Sequence, residues 1–223
     1  MCGRFTLTVD PGQLQDAFPW VDFPENIPQR YNIAPTQPVG VVPNDGHNRL
    51  DFYNWGLIPF WAKDPKIGNR MINARSETIT EKPSFRGSFK YKRCLVPADG
   101  FYEWRKLSGS KSKIPHYIHM KDGKPFAFAG LWDIWHSEDG SEIRSFTIIT
   151  TEPNQLLQEI HNRMPVILSP ETYRPWLQEG ENDPNLLKSF LKPYPSEEME
   201  AFPVSRAVNS PQNDSAECVL PIE

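Results

Sequence analysis

The residues best equipped for chemistry open the chain: Met1-Cys2-Gly3-Arg4-Phe5. An initiator methionine is trimmed when the next side chain is small, as cysteine is. Trimming leaves Cys2 as the terminus, with a thiol and a free α-amine on one two-carbon unit. The amine titrates near pH ~8 and the thiol near ~8.5, so each is partly nucleophilic at neutral pH. An aminothiol of this kind condenses with an aldehyde to an imine, which the thiolate closes into a thiazolidine ring. Gly3 lets the backbone approach a ligand closely, and Arg4 sets a permanent cation beside the nucleophile.

Proton carriers for such a reaction stand elsewhere in the chain. In Asp99-Gly100-Phe101-Tyr102-Glu103-Trp104-Arg105, strand alternation puts Phe101, Glu103 and Arg105 on one face. A glutamate among aromatics is either desolvated for a purpose or paired with an arginine, and the paired structural role is the commoner. His161 falls at the end of a helix expected to open at Thr151-Glu152-Pro153, where helix-end charge favours the imidazolium and proton donation near neutral pH. Trp55-Gly56-Leu57-Ile58-Pro59-Phe60-Trp61 offers stacking surface if exposed and ordinary core packing if not, the latter being the commoner use of such residues.

The elements that must position these groups are short. The 223 residues are 38% hydrophobic and 12% aromatic, which is the composition of a folded chain, and 23 prolines break it into brief strands and irregular connections. Arg4 to Thr8 reads as a strand, and Asp10-Pro11 caps a helix whose apolar face is Leu14, Ala17 and Phe18. Arg30 to Thr36 is extended and ends in a turn, because Pro35 keeps Ala34 out of the helical region. Val39–Val42 and Leu50–Trp55 form a hairpin around Asn44-Asp45-Gly46. Asn73 or Ser76 caps a helix running to about Glu81. Cys94–Pro97 is a short apolar run, and Ile114–Met120, Phe126–Trp132 and Ile143–Thr150 are strands joined by Asp122-Gly123 and Asp139-Gly140 turns. Val166–Leu168 is a buried strand, Tyr173–Trp176 and Asn185–Phe190 are short helices, and Phe202–Ser205 is a last strand before an acidic polar tail from about residue 207. With no repeat or linker, the expectation is one α+β domain over residues 1–223, dominated by short strands.

Charge and cysteine usage narrow the functions. No apolar run approaches the ~20 residues that span a bilayer, and no charged-then-apolar leader opens the chain, so the expected location is cytoplasmic, or nuclear in a eukaryote. Three cysteines without a CxxC pair fit a reducing compartment and argue against a structural zinc; no cofactor is expected. The net charge is −4, yet residues 60–113 hold 13 Lys/Arg against 5 Asp/Glu, while residues 169–223 hold 4 against 10. This asymmetry permits one electropositive face on an acidic protein, although a basic run also solvates an ordinary surface.

Six motifs, in order, cover essentially the whole chain: Met-Cys-Gly-Arg-Phe, Arg30–Pro35, Trp55–Trp61, Ile72–Thr78, Arg93–Trp104 and His161–Pro165, with Val204-Ser205 and Val208-Asn209 after them. In these the chain resembles the SOS response-associated peptidase (SRAP) family of abasic-site processing proteins. The resemblance implies a curved, barrel-like mixed sheet with peripheral short helices. It also implies a thiazolidine crosslink between mature Cys2 and the aldehyde of an abasic site in single-stranded DNA, with possible lyase and Met1-removing activities. In these roles Cys2 is the nucleophile, Asn73 holds the terminus and substrate oxygens, Glu103 exchanges protons with the amine and sugar, and His161 protonates a ring or leaving oxygen. Arg4 and Arg75 meet phosphates, Arg86 belongs to the same basic groove, and the Pro35 turn and Trp61 shape the path of the strand. Some members carry a second aromatic directly after Trp61, where this chain has Ala62. The expected partner is abasic single-stranded DNA bound by a monomer, with no membrane. Two other classes account for some of the same residues. An N-terminal cysteine hydrolase or amidotransferase would form a thioester through Cys2, and a non-catalytic reader of modified DNA would leave Cys2 incidental.

Overall fold

The computed structural model describes residues 2–107, 109 and 112–222. Strand β1 (Phe5–Leu7) leads into α1 (Pro11–Ala17), whose N-cap Asp10 accepts from the Gln13 backbone while the Gln13 side chain returns a bond to Asp10. β2 (Arg30–Ile33), β3 (Pro38–Pro43) and β4 (Asp51–Trp55) follow, then β5 (Asn73–Arg75) and the helix α2 (Arg86–Tyr91). β6 (Arg93–Ala98), β7 (Gly100–Lys106), β8 (Lys113–Met120), β9 (Phe126–His136) and β10 (Glu142–Thr151) carry most of the sheet. The chain closes with α3 (Gln155–Gln158), β11 (Met164–Pro165), β12 (Ile167–Leu168), α4 (Tyr173–Leu177), α5 (Pro184–Ser189) and β13 (Met199–Pro203).

Five strands close on themselves in the order β10-β4-β3-β6-β9, and the β9–β10 hairpin shuts the ring. The β10–β4 pair is parallel and the other four are antiparallel, so the barrel is mixed. A second, antiparallel sheet runs β13-β8-β7-β1-β2. Phe5 joins the two. From β1 it packs edge-on to Trp55 at 5.2 Å and Phe128 at 5.7 Å, both barrel residues, and Phe101 reaches Phe128 at 5.9 Å. All four rings are fully buried, and each such burial stabilises by about 1.5–3 kcal/mol. The first strand is therefore pinned three residues beyond Cys2.

The loop after β4 depends on one glycine. Gly56 takes φ 134°, and a Cβ there would stand 2.6 Å from the Gly68 carbonyl oxygen. Only glycine permits that approach, and it folds the Leu57–Trp61 segment back over the 3-10 turn Pro65–Arg70.

Two local expectations are corrected, and two further features were not legible in the sequence. Asn73 does not cap a helix: it begins β5, which pairs in parallel with β10 through Asn73↔Ile148, and only a short 3-10 turn, Ser76–Thr78, follows. A three-residue strand has no pattern of its own and forms because β10 presents a free edge to it. Thr151 stays in β10, and Asn154 caps α3 by accepting from the Leu157 backbone at 3.0 Å. Arg93 does not join a basic surface: it is fully buried and its guanidinium bonds the carbonyls of Phe89, Lys90, Trp176 and Gln178. The tail is folded, too. Asp214 accepts from the backbone of Tyr31 and Asn32, and the Asn32 amide donates to the carbonyls of Val208, Ser210 and Asn213.

Candidate active site

Cys2 lies at the seam between the two sheets, completely buried. The Asn73 amide donates to its carbonyl at 2.8 Å, so the barrel's accessory strand β5 holds the residue that β1 extends. The Asn73 Oδ1 is buried and finds no partner among the described residues.

Glu103 comes from the other side. β1 and β7 pair as Phe5↔Phe101, and Tyr102 donates to the Arg4 carbonyl at 3.0 Å. Glu103 is 1% exposed, so its carboxyl is desolvated. Burial raises its carboxyl to about 7, which divides it between acid and base at neutral pH. Burial, and next the Glu103 charge, push the Cys2 thiol up from its ordinary value. The two groups are thus within electrostatic reach of each other, and the thiol is held protonated.

His161 follows α3, its backbone bonded to the Leu157 carbonyl at 2.8 Å. A helix of four residues has too little dipole to favour the imidazolium, and the direction is the reverse of that expected: burial lowers the His161 pKa. The Arg163 backbone N–H donates to His161 Nδ1 at 3.1 Å, so the neutral ring carries its proton on Nε2. Lys113 lowers both the Glu103 and the His161 values as a further cause, so one ammonium faces both groups. Arg163 itself grips the Glu77 carboxylate and the Thr150 carbonyl, tying the histidine segment to the end of β10 beside β5.

The expected DNA-contacting residues divide. Arg4 is half-buried, and its Nη1 donates to Asn32 Oδ1 at 2.9 Å and the Val208 carbonyl at 2.6 Å, its Nη2 to the Asn209 carbonyl at 3.1 Å. Most of its fork is spent fastening β1 to the tail, where phosphate contact was expected. Arg75, at the end of β5, is exposed, as is Arg86 at the start of α2. Pro35 is half-buried in a turn whose next residue, Thr36, holds φ 72°, an uncommon geometry for a β-branched side chain. Trp61 is 48% exposed and Phe60 68%. With Pro59, Pro83 and Tyr91 they line a cavity of about 280 Å³, and Trp61 also walls a wider one of about 620 Å³ with Lys63, Lys66 and Arg70. Ala62 is buried and its carbonyl takes the Trp135 indole N–H at 2.7 Å. Phe60 belongs to the stretch that offers stacking surface, whereas Tyr91 and Phe52, also about half exposed, carry no signal in the sequence, each sitting in a segment whose pattern does not mark its face.

Fold and site together define a small mixed barrel with a buried cysteine, a neutral-poised carboxyl and a basic, aromatic rim. The family model for SOS response associated peptidase (SRAP) matches residues 1–211, and the chain belongs to that family. It is 48% identical over 225 residues to the abasic site processing protein YoqW of Bacillus subtilis, covering 98% of this chain and 99% of that one. It is 34% identical to YedK of Escherichia coli, over the whole of both chains. A crystal structure of a Bacteroides thetaiotaomicron protein superposes with a TM-score of 0.88 at 30% identity, again over the whole of both chains.

Proposed function

We propose that this protein processes abasic sites in single-stranded DNA by joining Cys2, after loss of Met1, to the lesion's aldehyde as a thiazolidine. The observation that carries the reading is the meeting of Cys2, Asn73 and a desolvated Glu103 whose carboxyl sits at about 7. The relatives' names, abasic site processing proteins, supply the substrate class.

In this reading Glu103 takes a proton from the Cys2 α-ammonium. The amine adds to the aldehyde carbon, and Glu103 returns a proton to the carbinolamine hydroxyl, which leaves as water. The thiol then adds to the protonated imine carbon, forming the C–S bond and releasing its own proton. His161, protonated on Nε2, donates to the sugar ring oxygen as the lesion opens to its aldehyde. Asn73 holds the Cys2 carbonyl and offers Oδ1 to the amine. Arg75, Arg86 and the residual N–H groups of Arg4 meet phosphates, with Pro35 and the Phe60–Trp61 pair guiding the strand. The same imine acidifies the neighbouring C–H, so strand cleavage as a lyase is a side reaction of this chemistry, and removal of Met1 at this site would be its preparatory step.

The raised Cys2 thiol favours this order over a hydrolase or amidotransferase, in which a thiolate must attack first. The test is incubation with abasic single-stranded DNA without reductant, followed by denaturation. A stable adduct that is lost with Cys2→Ala supports the reading. Ammonia release from glutamine with no adduct would replace it with the amidotransferase, and DNA binding untouched by Cys2→Ala with no adduct would leave a reader.

A further inference from the structure

His116 stands directly opposite Glu103 in the β7–β8 ladder. The neighbouring pair on that face, Phe101 and Ile118, is fully buried in the core, so Glu103 and His116 are the first polar pair beyond it. Directly opposed side chains in an antiparallel pair have Cβ atoms about 4.5–5.5 Å apart. Glu103 thus faces a histidine across the ladder. His116 is 9% exposed, and its Nδ1 bonds the Ile114 carbonyl at 3.1 Å. A carbonyl accepts only, so Nδ1 carries the ring proton and Nε2 is left with a lone pair.

The balance of the proposed reaction asks for such a group. An ammonium, an aldehyde and a thiol become a thiazolidine, one water and one proton. The carboxyl that handles the protons is buried, so that last proton needs an exit. We infer that His116 is a positioning residue for Glu103, its Nε2 taking the surplus proton from the Glu103 carboxyl, directly or through one water, and passing it to solvent. The inference rests on the function proposed above.

The surroundings suit a neutral acceptor. Burial first, and Arg105 as a further cause, lower the His116 pKa. Around it β7 supplies Glu103 and Arg105, β8 itself Lys113, and β13 the uncharged Pro203 directly opposite. The turn Arg206–Asn209, packed on β8, supplies Arg206, which bonds Ser112. A histidine that merely fastened the strand end would need only its Nδ1–H.

The experiment follows adduct formation on abasic single-stranded DNA from pH 5.5 to 8.5 for the Met1-free wild type, His116→Phe and His116→Ala, the last with and without added imidazole. The expected result is a rate lowered about 10²-fold in both variants, unchanged DNA affinity, a changed pH profile, and recovery of His116→Ala by imidazole. Wild-type rate and pH profile in His116→Phe would overturn the inference. So would a slow His116→Ala that imidazole does not restore and whose thermal midpoint has fallen, the mark of a structural histidine. Absence of any wild-type adduct would remove the proposed function and this inference with it, which separates the two failures.

Discussion

Burial of Glu103 has an electrostatic cost, and that cost has a pH signature. Its folded pKa, about 7, lies above the ordinary carboxylate value because burial penalises the charge. Such a group favours the folded state at low pH, and that advantage is lost as pH rises from its unfolded value through about 7. Glu103→Gln removes the charge. Chemical denaturation should therefore find the variant more stable than the wild type at pH 8, by up to about 3 kcal/mol, with the gap closing below pH 5. Adduct formation should fall by about 10²–10⁴-fold in the same variant. Equal stabilities at pH 8 and pH 5 would show that the carboxyl is not desolvated. Little of this could be seen in the residues: a glutamate between aromatics reads the same whether exposed or buried, and only the packing of the two sheets around β7 decides it.

Among the elements, those with their own turn chemistry were legible. The Asn44-Asp45-Gly46 and β9–β10 hairpins stand where their turns place them, and the Asp122-Gly123 turn instead carries the chain from β8 in one sheet to β9 in the other, with Gly46, Gly123 and Gly140 all at positive φ. What could not be read were elements made by their partners. β5 exists because β10 receives it, and Arg93, one cation in a basic run, is buried because the carbonyl ends of α2 and α4 converge on it. The Leu57–Trp61 loop is the element on which DNA recognition would depend, and Gly56 sets its path. Gly56→Ala must relieve both a positive φ and a 2.6 Å approach to the Gly68 carbonyl. It should cost more than about 1 kcal/mol in denaturant titration and weaken single-stranded DNA binding beyond that seen for Trp61→Ala. Wild-type stability would mean that the loop tolerates another path.

Over the whole molecule, the charge asymmetry seen in the sequence resolves into two kinds of cation. Arg75 and Arg86 are exposed, whereas Arg93 is buried and Lys92 pairs with Asp133. Arg75→Ala should lower the salt dependence of single-stranded DNA binding by about 0.7 in log–log slope, one phosphate contact. Arg93→Ala should leave that slope unchanged and instead destabilise the fold by several kcal/mol, because at least four carbonyls lose their donor. A slope unmoved by Arg75→Ala would take that residue out of the groove. The proposed reaction turns on the α-amine of Cys2. Its most direct measurement compares two preparations, Met1-free and Met1-retaining, each verified by intact mass, for the rate of denaturation-stable adduct on abasic single-stranded DNA without borohydride. The Met1-free protein should crosslink, with a mass equal to protein plus DNA less one water, and the Met1-retaining protein should not, although its thiol is still present. Equal rates for the two would contradict the aminothiol mechanism and put a simple thiol adduct in its place.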